Sequence, residues 1–333
     1  MLTNGGARHA LTGPRLGAHR DGELDGTPTA AADGDDAAGT PNDEDGVTFL
    51  STLIVGATAS VSVEVSNAGA TNVLDAWIDF NRDGDWSDPG EQVFASRALV
   101  AGTNALSFPV PAGATLGVTY ARFCLSTAGG LAPSGAAADG EVEDYRVDLV
   151  AQSVTGVSVQ RGAAGRSFVR YVGLTLGQAT GLSELIASVD DADATNDRIR
   201  LVGRGLDGSA SVAVSLAGRL TALDAALEAD FGLAGITGNA TSTAGDGYYE
   251  FWLDLDGDGT FETVRRFHRL LGDSNASGQV DDADAHAVTL ALGQAGPDLA
   301  ADVNGDGYVT AADRTLARRQ AGRKLTGGLA LDA

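Results

Sequence analysis

The sequence predicts a mainly β chain with a small α tail: a β-sandwich of jelly-roll or Ig-like type, a second β region, and a C-terminal pair of loop–helix units. Three observations predict this. Short apolar runs alternate at period two, as in Ala59–Val65, where Val61, Val63 and Val65 alternate with small or polar residues. The 46 glycines and the low aromatic fraction of 6% suit short strands joined by many turns. From Leu270 the pattern changes to loop, helix, loop, helix, and the segments opening at Asp273 and Asp302 read alike, 29 residues apart.

The 333 residues carry 45 acids and 22 bases, a formal charge of −23, and 43% of them are hydrophobic. Two or three units with buried cores are expected, and wholesale disorder is not. Such acidity disfavours nucleic acid and anionic membrane surfaces as partners, because phosphates are repelled. It suits a chain whose clustered carboxylates share cations. Cys124 is the one cysteine, so no intramolecular disulfide and no zinc spacing is available. The start, Met1 to Gly6, lacks the apolar stretch of a signal peptide, and no long apolar run predicts a membrane span. The expectation is a cytosolic protein or a piece of a longer secreted one.

Along the chain, residues 1–39 read as an irregular acidic lead-in and 40–150 as a sandwich. Its strands are placed at Ala59–Val65, Val73–Phe80, Ala105–Val110, Val118–Leu125 and Glu143–Leu149. Small residues make 151–165 a linker. A second β-rich region, 166–269, has strands at Ser167–Leu174, Arg198–Val202, Ser211–Leu216, Leu227–Phe231 and Tyr248–Leu255. Helical turns are expected near Leu182–Val189 and Ala222–Leu227. The loop–helix pair covers 270–325 and a tail 326–333.

The loop–helix pair carries the chemistry. A calcium loop of EF-hand type needs oxygen ligands at positions 1, 3, 5, 9 and 12, a glycine at 6 and a backbone carbonyl at 7. Asp273, Asn275, Ser277, Gly278, Gln279, Asp281 and Asp284 meet positions 1, 3, 5, 6, 7, 9 and 12 of the first loop. Asp302, Asn304, Asp306, Gly307, Tyr308, Thr310 and Asp313 meet them in the second. Val280 and Val309 take position 8, which points away from the ion. Ser277, where a carboxylate is commoner, predicts weaker binding in the first loop. Ala285, Val288 and Leu292, then Leu316 and Ala317, set the apolar faces of the following helices, and Gly293 and Gly322 stop them. A segment this short buries little surface, so metal is expected to supply the deficit.

Two further loops share the opening. Asp79, Asn81, Asp83 and Asp85 precede Glu91; Asp254, Asp256 and Asp258 precede Glu262, with Arg265 at position 12. Each follows a strand and reads either as a calcium site or as a plain hairpin turn. Two calcium sites are therefore expected, with one or two more open.

The tail resembles dockerin, a module that docks secreted bacterial proteins onto cohesin partners. The resemblance implies calcium binding. Well-studied cohesin binders often carry hydroxyls at loop positions 10 and 11, where this chain has Asp282-Ala283 and Ala311-Ala312. A cohesin-like or other surface protein is the implied partner, but cohesin recognition itself does not carry over. Asp139-Gly140-Glu141-Val142-Glu143-Asp144-Tyr145, together with blocks at 43–49, 76–81, 90–94 and 119–123, resembles the GEVED family, a β module of large secreted bacterial proteins. Cys124 departs from that pattern, where a basic or polar residue is expected. The acids of this motif repel one another, and Glu141, Glu143 or Asp144 are expected to meet the Asp79–Asp83 loop around one ion. The alternative is a polar strand start facing water. Leu74, Trp77, Phe80 and Phe123 read as core.

Other signals fail on context. Gly203 to Gly208 matches G-x-G-x-x-G, but a strand follows it. Ser274 in Gly272-Asp273-Ser274-Asn275 sits inside a calcium loop, without triad partners. His9, His19, His268 and His286 are scattered and read as surface or packed residues. Arg314, Arg318, Arg319, Arg323 and Lys324 cluster around the last helix, as dipole partners or as a face for an acidic partner. The sequence thus predicts a calcium-binding, non-catalytic, secreted or cell-surface modular protein whose tail docks or caps the chain, with carbohydrate as a further candidate ligand. The alternative is an accessory or fragment of an extracellular polysaccharide-degrading enzyme.

Overall fold

The computed structural model describes residues 6–20, 30–32, 43–191, 193–209 and 211–333. About half of the expected lead-in lies outside the described residues, and the described part is not wholly irregular: Ala7–His9 pairs with Gly135–Ala137 and Arg15–Leu16 with Val65–Ser66, because the apolar Ala7 and Leu16 are buried against the sandwich. The chain divides into two compact units, Met1–Ala151 and Gln152–Ala333.

In the first unit the described strands are β1 (Ala7–His9), β2 (Arg15–Leu16), β3 (Val47–Phe49), β4 (Leu53–Ile54), β5 (Thr58–Ser66), β6 (Val73–Ile78), β7 (Gln92–Ala98), β8 (Gly102–Pro109), β9 (Gly117–Ser126), β10 (Gly135–Ala137) and β11 (Glu141–Val150). A five-stranded sheet runs β4-β11-β9-β6-β7; β5 pairs with β8 on one edge and with β2 and β3 on the other. The expected alternation of β5 holds: Ala59, Val61, Val63 and Val65 are buried, and Ser60, Ser62 and Glu64 are half-exposed. They pack with Leu74, Ala76 and Ile78 of β6 and with Ala121, Phe123 and Leu125 of β9. Phe49, Phe123 and Tyr145 meet edge-to-face at 5.9–6.1 Å, a favoured aromatic geometry.

The five-stranded sheet is covered on its outer face as well, by Trp77, Trp86, Cys124, Val142 and Ala7. Cys124 is fully buried in this apolar patch. That is why a small apolar side chain stands where a polar one was expected. Trp77 and Phe80 are core, as read.

The second unit holds β12 (Val154–Val159), β13 (Tyr171–Leu176), α1 (Leu182–Asp190), β14 (Ile199–Gly203), β15 (Val212–Val214), β16 (Leu220–Leu223), β17 (Ala226–Asp230), β18 (Gly247–Leu253), β19 (Thr263–Arg269), α2 (Asp282–Leu290) and α3 (Ala311–Arg319). Two four-stranded sheets, β12-β13-β17-β16 and β15-β14-β18-β19, enclose a core that includes Leu174, Leu227, Phe251, Leu253 and Phe267.

Four expectations change here. The linker at 151–165 contains β12, because Val154 and Val159 bury against β13 despite the small residues between them. The strand expected from Ser167 starts at Tyr171, since Ser167 is drawn off to Val303 of the loop–helix pair, while Val169 O and Arg170 O accept from Ile236 N and Phe231 N. The helical turn expected at Ala222–Leu227 is a hairpin: Leu223 pairs with Ala226, and Asp224 takes φ 52°. The left-handed tolerance of Asp in a two-residue turn outweighs the helix propensity of Ala and Leu. Finally, Leu292 lies beyond α2 and is 40% exposed, because Ala291 caps the helix and Gly293 turns the chain at φ 88°. The strand after Gly203-x-Gly is β15, as read.

The loop–helix pair has its own small core of Leu271, Val288, Ala301, Val303, Val309 and Ala317. Its two copies exchange bonds reciprocally. Gly293 N donates to Val309 O and Gly322 N to Val280 O; Val309 N donates to Gln294 O and Val280 N to Arg323 O. Each partner in one pair lies 29 residues from its counterpart in the other, so the sequence repeat is realised as an approximate two-fold. Position 8 of each loop thus pairs with the chain that leaves the other repeat's helix. Val280 and Val309 are accordingly buried. The C-terminal tail lies back on the β sheet, with Asp332 N donating to Arg266 O and Arg266 N to Asp332 Oδ2 at 2.7 Å. This covers the outer edge of β19.

Candidate metal centres

In the second loop, Asp302 Oδ1 accepts from Gly305 N and Asp306 N, and its Oδ2 accepts from Gly307 N at 2.7 Å. The chain is wound round the first carboxylate. Asp313 closes the loop: Oδ1 accepts from Val303 N and Asn304 N, Oδ2 from Thr310 N. Asn304 Oδ1 accepts from Asp306 N, and Asp306 Oδ1 from Tyr308 N. Thr310 and Asp313 are also the N-cap and N3 residues of a capping box that starts α3. One carboxylate therefore both closes the loop and opens the helix.

The first loop repeats this. Asp273 accepts from Asn275, Ser277 and Gly278 N, and Asp284 from Ser274 and Asp281 N, with Asp281–Asp284 the capping box of α2. It differs at position 5, where Ser277 Oγ donates to Gln279 O at 3.0 Å. Gln279 Nε2 donates to Asp281 Oδ2.

The two hairpin loops follow the same rules. Asp79 accepts from Arg82 and Gly84 N, and Asp254 from Gly257 and Gly259 N. Glu91 accepts from Phe80, Asn81 and Asp88 N, and Glu262 Oε1 accepts from Leu255 N at 2.6 Å. In all four loops the position-6 glycine donates to the position-1 carboxylate. In all four the position-2 amide donates to a closing acid, although that acid comes at different distances along the chain. Positions 4 and 6 are left-handed throughout: Arg82, Gly257, Ala276 and Gly305 at φ 63°, 80°, 61° and 75°, then Gly84, Gly259, Gly278 and Gly307. Glu262 closes its loop from β19's hairpin, so Arg265 has no such role; it donates to Val154 O instead.

Carboxylate oxygens of Asp254, Asp256 and Glu262 lie within 4.8 Å of one another, as do those of Asp83, Asp85 and Asp88. Asp88 was not singled out from the sequence; its place just before Pro89-Gly90, a turn that returns the chain towards Asn81, is the signal for it. Asn81 Nδ2 donates to Asp88 Oδ2 at 2.8 Å. Asp258 stays outside its trio, accepting from Thr260 N.

The acids of the GEVED-like motif do not reach the Asp79 loop. Glu141 is level with Leu125 and Leu74 across the sheet, and Asp79 lies about 17 Å further along, at ~3.4 Å per residue. Asp144 forms a two-pronged bond with Arg122, at 2.6 and 2.5 Å. Glu141 and Glu143 point into the sandwich. Glu141 Oε2 accepts from Leu16 N; Glu143 accepts from Asp45 N, Gly46 N and the Tyr145 hydroxyl. Glu141 thus ties Leu16 of the lead-in to the sheet, and Glu143 ties the Asp45–Gly46 turn before β3. Burial, then the neighbouring Glu143, pushes the Glu141 carboxyl up to about 9; burial takes Glu143 to about 8.

Among the loop acids, burial raises Asp284, Asp302, Glu91, Asp256 and Glu262 above their ordinary carboxylate values. A cation removes that penalty, since its own charge reverses the local balance. The donors are carboxylate, amide, hydroxyl and carbonyl oxygens, which fit a hard ion such as calcium rather than a soft one. A histidine also touches this system: His268 Nε2 lies 2.8 Å from Asp273 Oδ2.

The GEVED domain matches residues 73–148 and the Dockerin type I domain matches residues 271–320. No curated protein matches the chain. Solved structures similar to it include the mouse nectin-like molecule 4 ectodomain (13% identity, 68% of this chain and 62% of that one, TM-score 0.19). The eight N-terminal Ig domains of DSCAM (12%, 67% and 24%, TM-score 0.22) and the chicken CNTN1 FN1–FN3 domains (7%, 68% and 67%, TM-score 0.23) are similar too. The chain thus spans 62% and 24% of the first two structures' lengths.

Proposed function

We propose that this chain, which carries a GEVED domain and a C-terminal dockerin type I domain, is a calcium-dependent, non-catalytic docking protein of the cell exterior. The observation that carries the reading is the pair of tail loops. Each gathers oxygen donors around a buried position-1 carboxylate, and each closes with an acid that also starts a helix. Calcium taken up there would hold both helices in place through their own first turns. Docking is supported by the exposed side chains around them: Leu290, Leu292 and Tyr308 are apolar yet open to solvent, and Arg318, Arg319 and Lys324 are exposed cations in an acidic chain. Such a combination suits a partner with an apolar, acidic face. Among the described residues no helix is long and apolar enough to cross a membrane.

The non-catalytic reading rests on how the buried acids outside the loops are engaged. Asp75, Glu141, Glu143, Asp246 and Glu250 are each bonded to backbone amides, to arginines or to both. The test is binding of the whole chain to immobilised cohesin-like proteins, in calcium and in chelator. Capture in calcium that disappears in chelator is expected. Hydrolysis of a polysaccharide by the purified chain, lost on one carboxylate substitution, would replace this reading with an enzymatic one.

A further inference from the structure

The first tail loop is wired into the β sheet of its own unit. Asp273 and His268 are both fully buried. Asp273 Oδ2 takes two bonds, from Gly278 N at 2.9 Å and from His268 Nε2 at 2.8 Å. Its Oδ1 is held only by two long contacts, 3.2 Å each, from Asn275 N and Ser277 N. One oxygen thus carries two close bonds, and the other keeps its capacity for an ion. His268 Nδ1 is buried and makes no hydrogen bond, so the ring's polar contact is spent on Asp273.

The surroundings hold this pair in place. Arg166 N donates to Asp273 O at 2.8 Å. The Ser167 hydroxyl accepts from Gly272 N and donates to Val303 O, tying the residue before the first loop to position 2 of the second. A Cβ on Gly165 would lie 2.4 Å from Ala300 O, and one on Gly305 2.5 Å from the Phe168 ring, so the segments have no slack. The second loop lacks a counterpart to the histidine: 29 residues on from His268 stands Pro297, which has no side-chain donor.

We propose that His268 is a positioning residue for calcium in the first loop alone, orienting Asp273 from β19. The inference rests on calcium being the ligand of the tail loops and adds that one of them depends on the β sheet. Partners of this kind, one bond removed from the ion, are worth about 10–100-fold in metal affinity. The test uses the whole chain and titrates calcium into the wild type, His268→Gln, His268→Asn and His268→Phe. The Gly278 and Gly307 amide resonances report the two loops separately, and calorimetry gives the affinities.

His268→Phe is expected to weaken the Gly278 transition about 10–100-fold and leave that of Gly307 unchanged. His268→Gln, whose amide reaches as far as Nε2, should retain most of the affinity, and the shorter Asn should not. If the Phe variant does not fold, the Gln–Asn difference decides. Unchanged affinity in folded Phe and Asn variants, equal loss in Gln and Asn, or equal loss at both loops would overturn the proposal. A wild type that takes up no calcium at either glycine would instead sink the calcium reading and this one with it.

Discussion

A carboxylate at the head of a loop can do two things at once, and Asp302 shows both. It accepts three backbone amides, which winds the chain, and it keeps lone pairs for an ion. Asp313 works likewise at the other end. Asp313→Ala is therefore expected to abolish calcium uptake at the second loop by calorimetry. It should also lower stability in chelator, by the ~1 kcal/mol of a lost helix cap. At position 5 of the first loop, Ser277 spends its hydroxyl on Gln279 O. Ser277→Asp should tighten that loop towards the second, read as convergence of two calorimetric steps. In the sandwich, Glu141 and Glu143 bind protons more tightly folded than unfolded. Their stabilisation is complete below the ordinary carboxylate value of 4.5 and is lost as pH rises towards about 8 and 9. The first unit should thus melt lower at pH 9 than at pH 6, and Glu141→Gln should flatten that slope. A slope unchanged by the substitution would refute the assignment.

At the scale of elements, the four loops share a backbone path more closely than they share residues. Position 4 is left-handed in each, yet two of them place Arg82 and Ala276 there. A non-glycine residue in that region costs about 1–2 kcal/mol. Ala276→Gly is expected to stabilise the second unit in chelator by about 1 kcal/mol, offset in part by the greater freedom of glycine in the unfolded chain; denaturant unfolding would show it. Gly140 is the opposite case. It turns the chain between β10 and β11 at φ 98°, and a Cβ there would lie 1.8 Å from Leu125 O. Gly140→Ala should cost the first unit well over 1 kcal/mol, so the glycine of the GEVED-like motif is required by geometry rather than by ligand chemistry.

Among the described residues each unit has a large core, the sandwich has a small apolar patch on its outer face, and the tail has a small core of its own. The tail's core cannot provide much stability alone, and it leans on buried bonds to its own unit. Asp246 is fully buried and accepts from Arg269, Arg323 and Leu271 N. Breaking such a network leaves an unpaired buried charge. Calcium at a hundredfold excess over its dissociation constant should raise the stability of the second unit by about 2.7 kcal/mol per loop. Scanning calorimetry of the whole chain should show that rise in the transition belonging to residues 152–333. The same expectation makes residues 270–325 alone a poorer calcium binder than the intact unit.

Read alone, the sequence determined what is local. The spacing of the oxygen donors, the position-6 glycines, the apolar position 8 and the helix starts all fall within a dozen residues, and backbone geometry at that range leaves few alternatives. The 29-residue repeat and the alternation of β5 were legible for the same reason. Only the tertiary structure decided what depends on chain distance. Glu143 meets Gly46 across 97 residues and Ser167 meets Val303 across 136. No periodicity announces such contacts, so the acids of 141–144 looked like ligands until the fold gave them amides and an arginine. Whether a run of small residues becomes a linker or a strand was settled in the same way, by what β13 offered Val154 and Val159 to pack against.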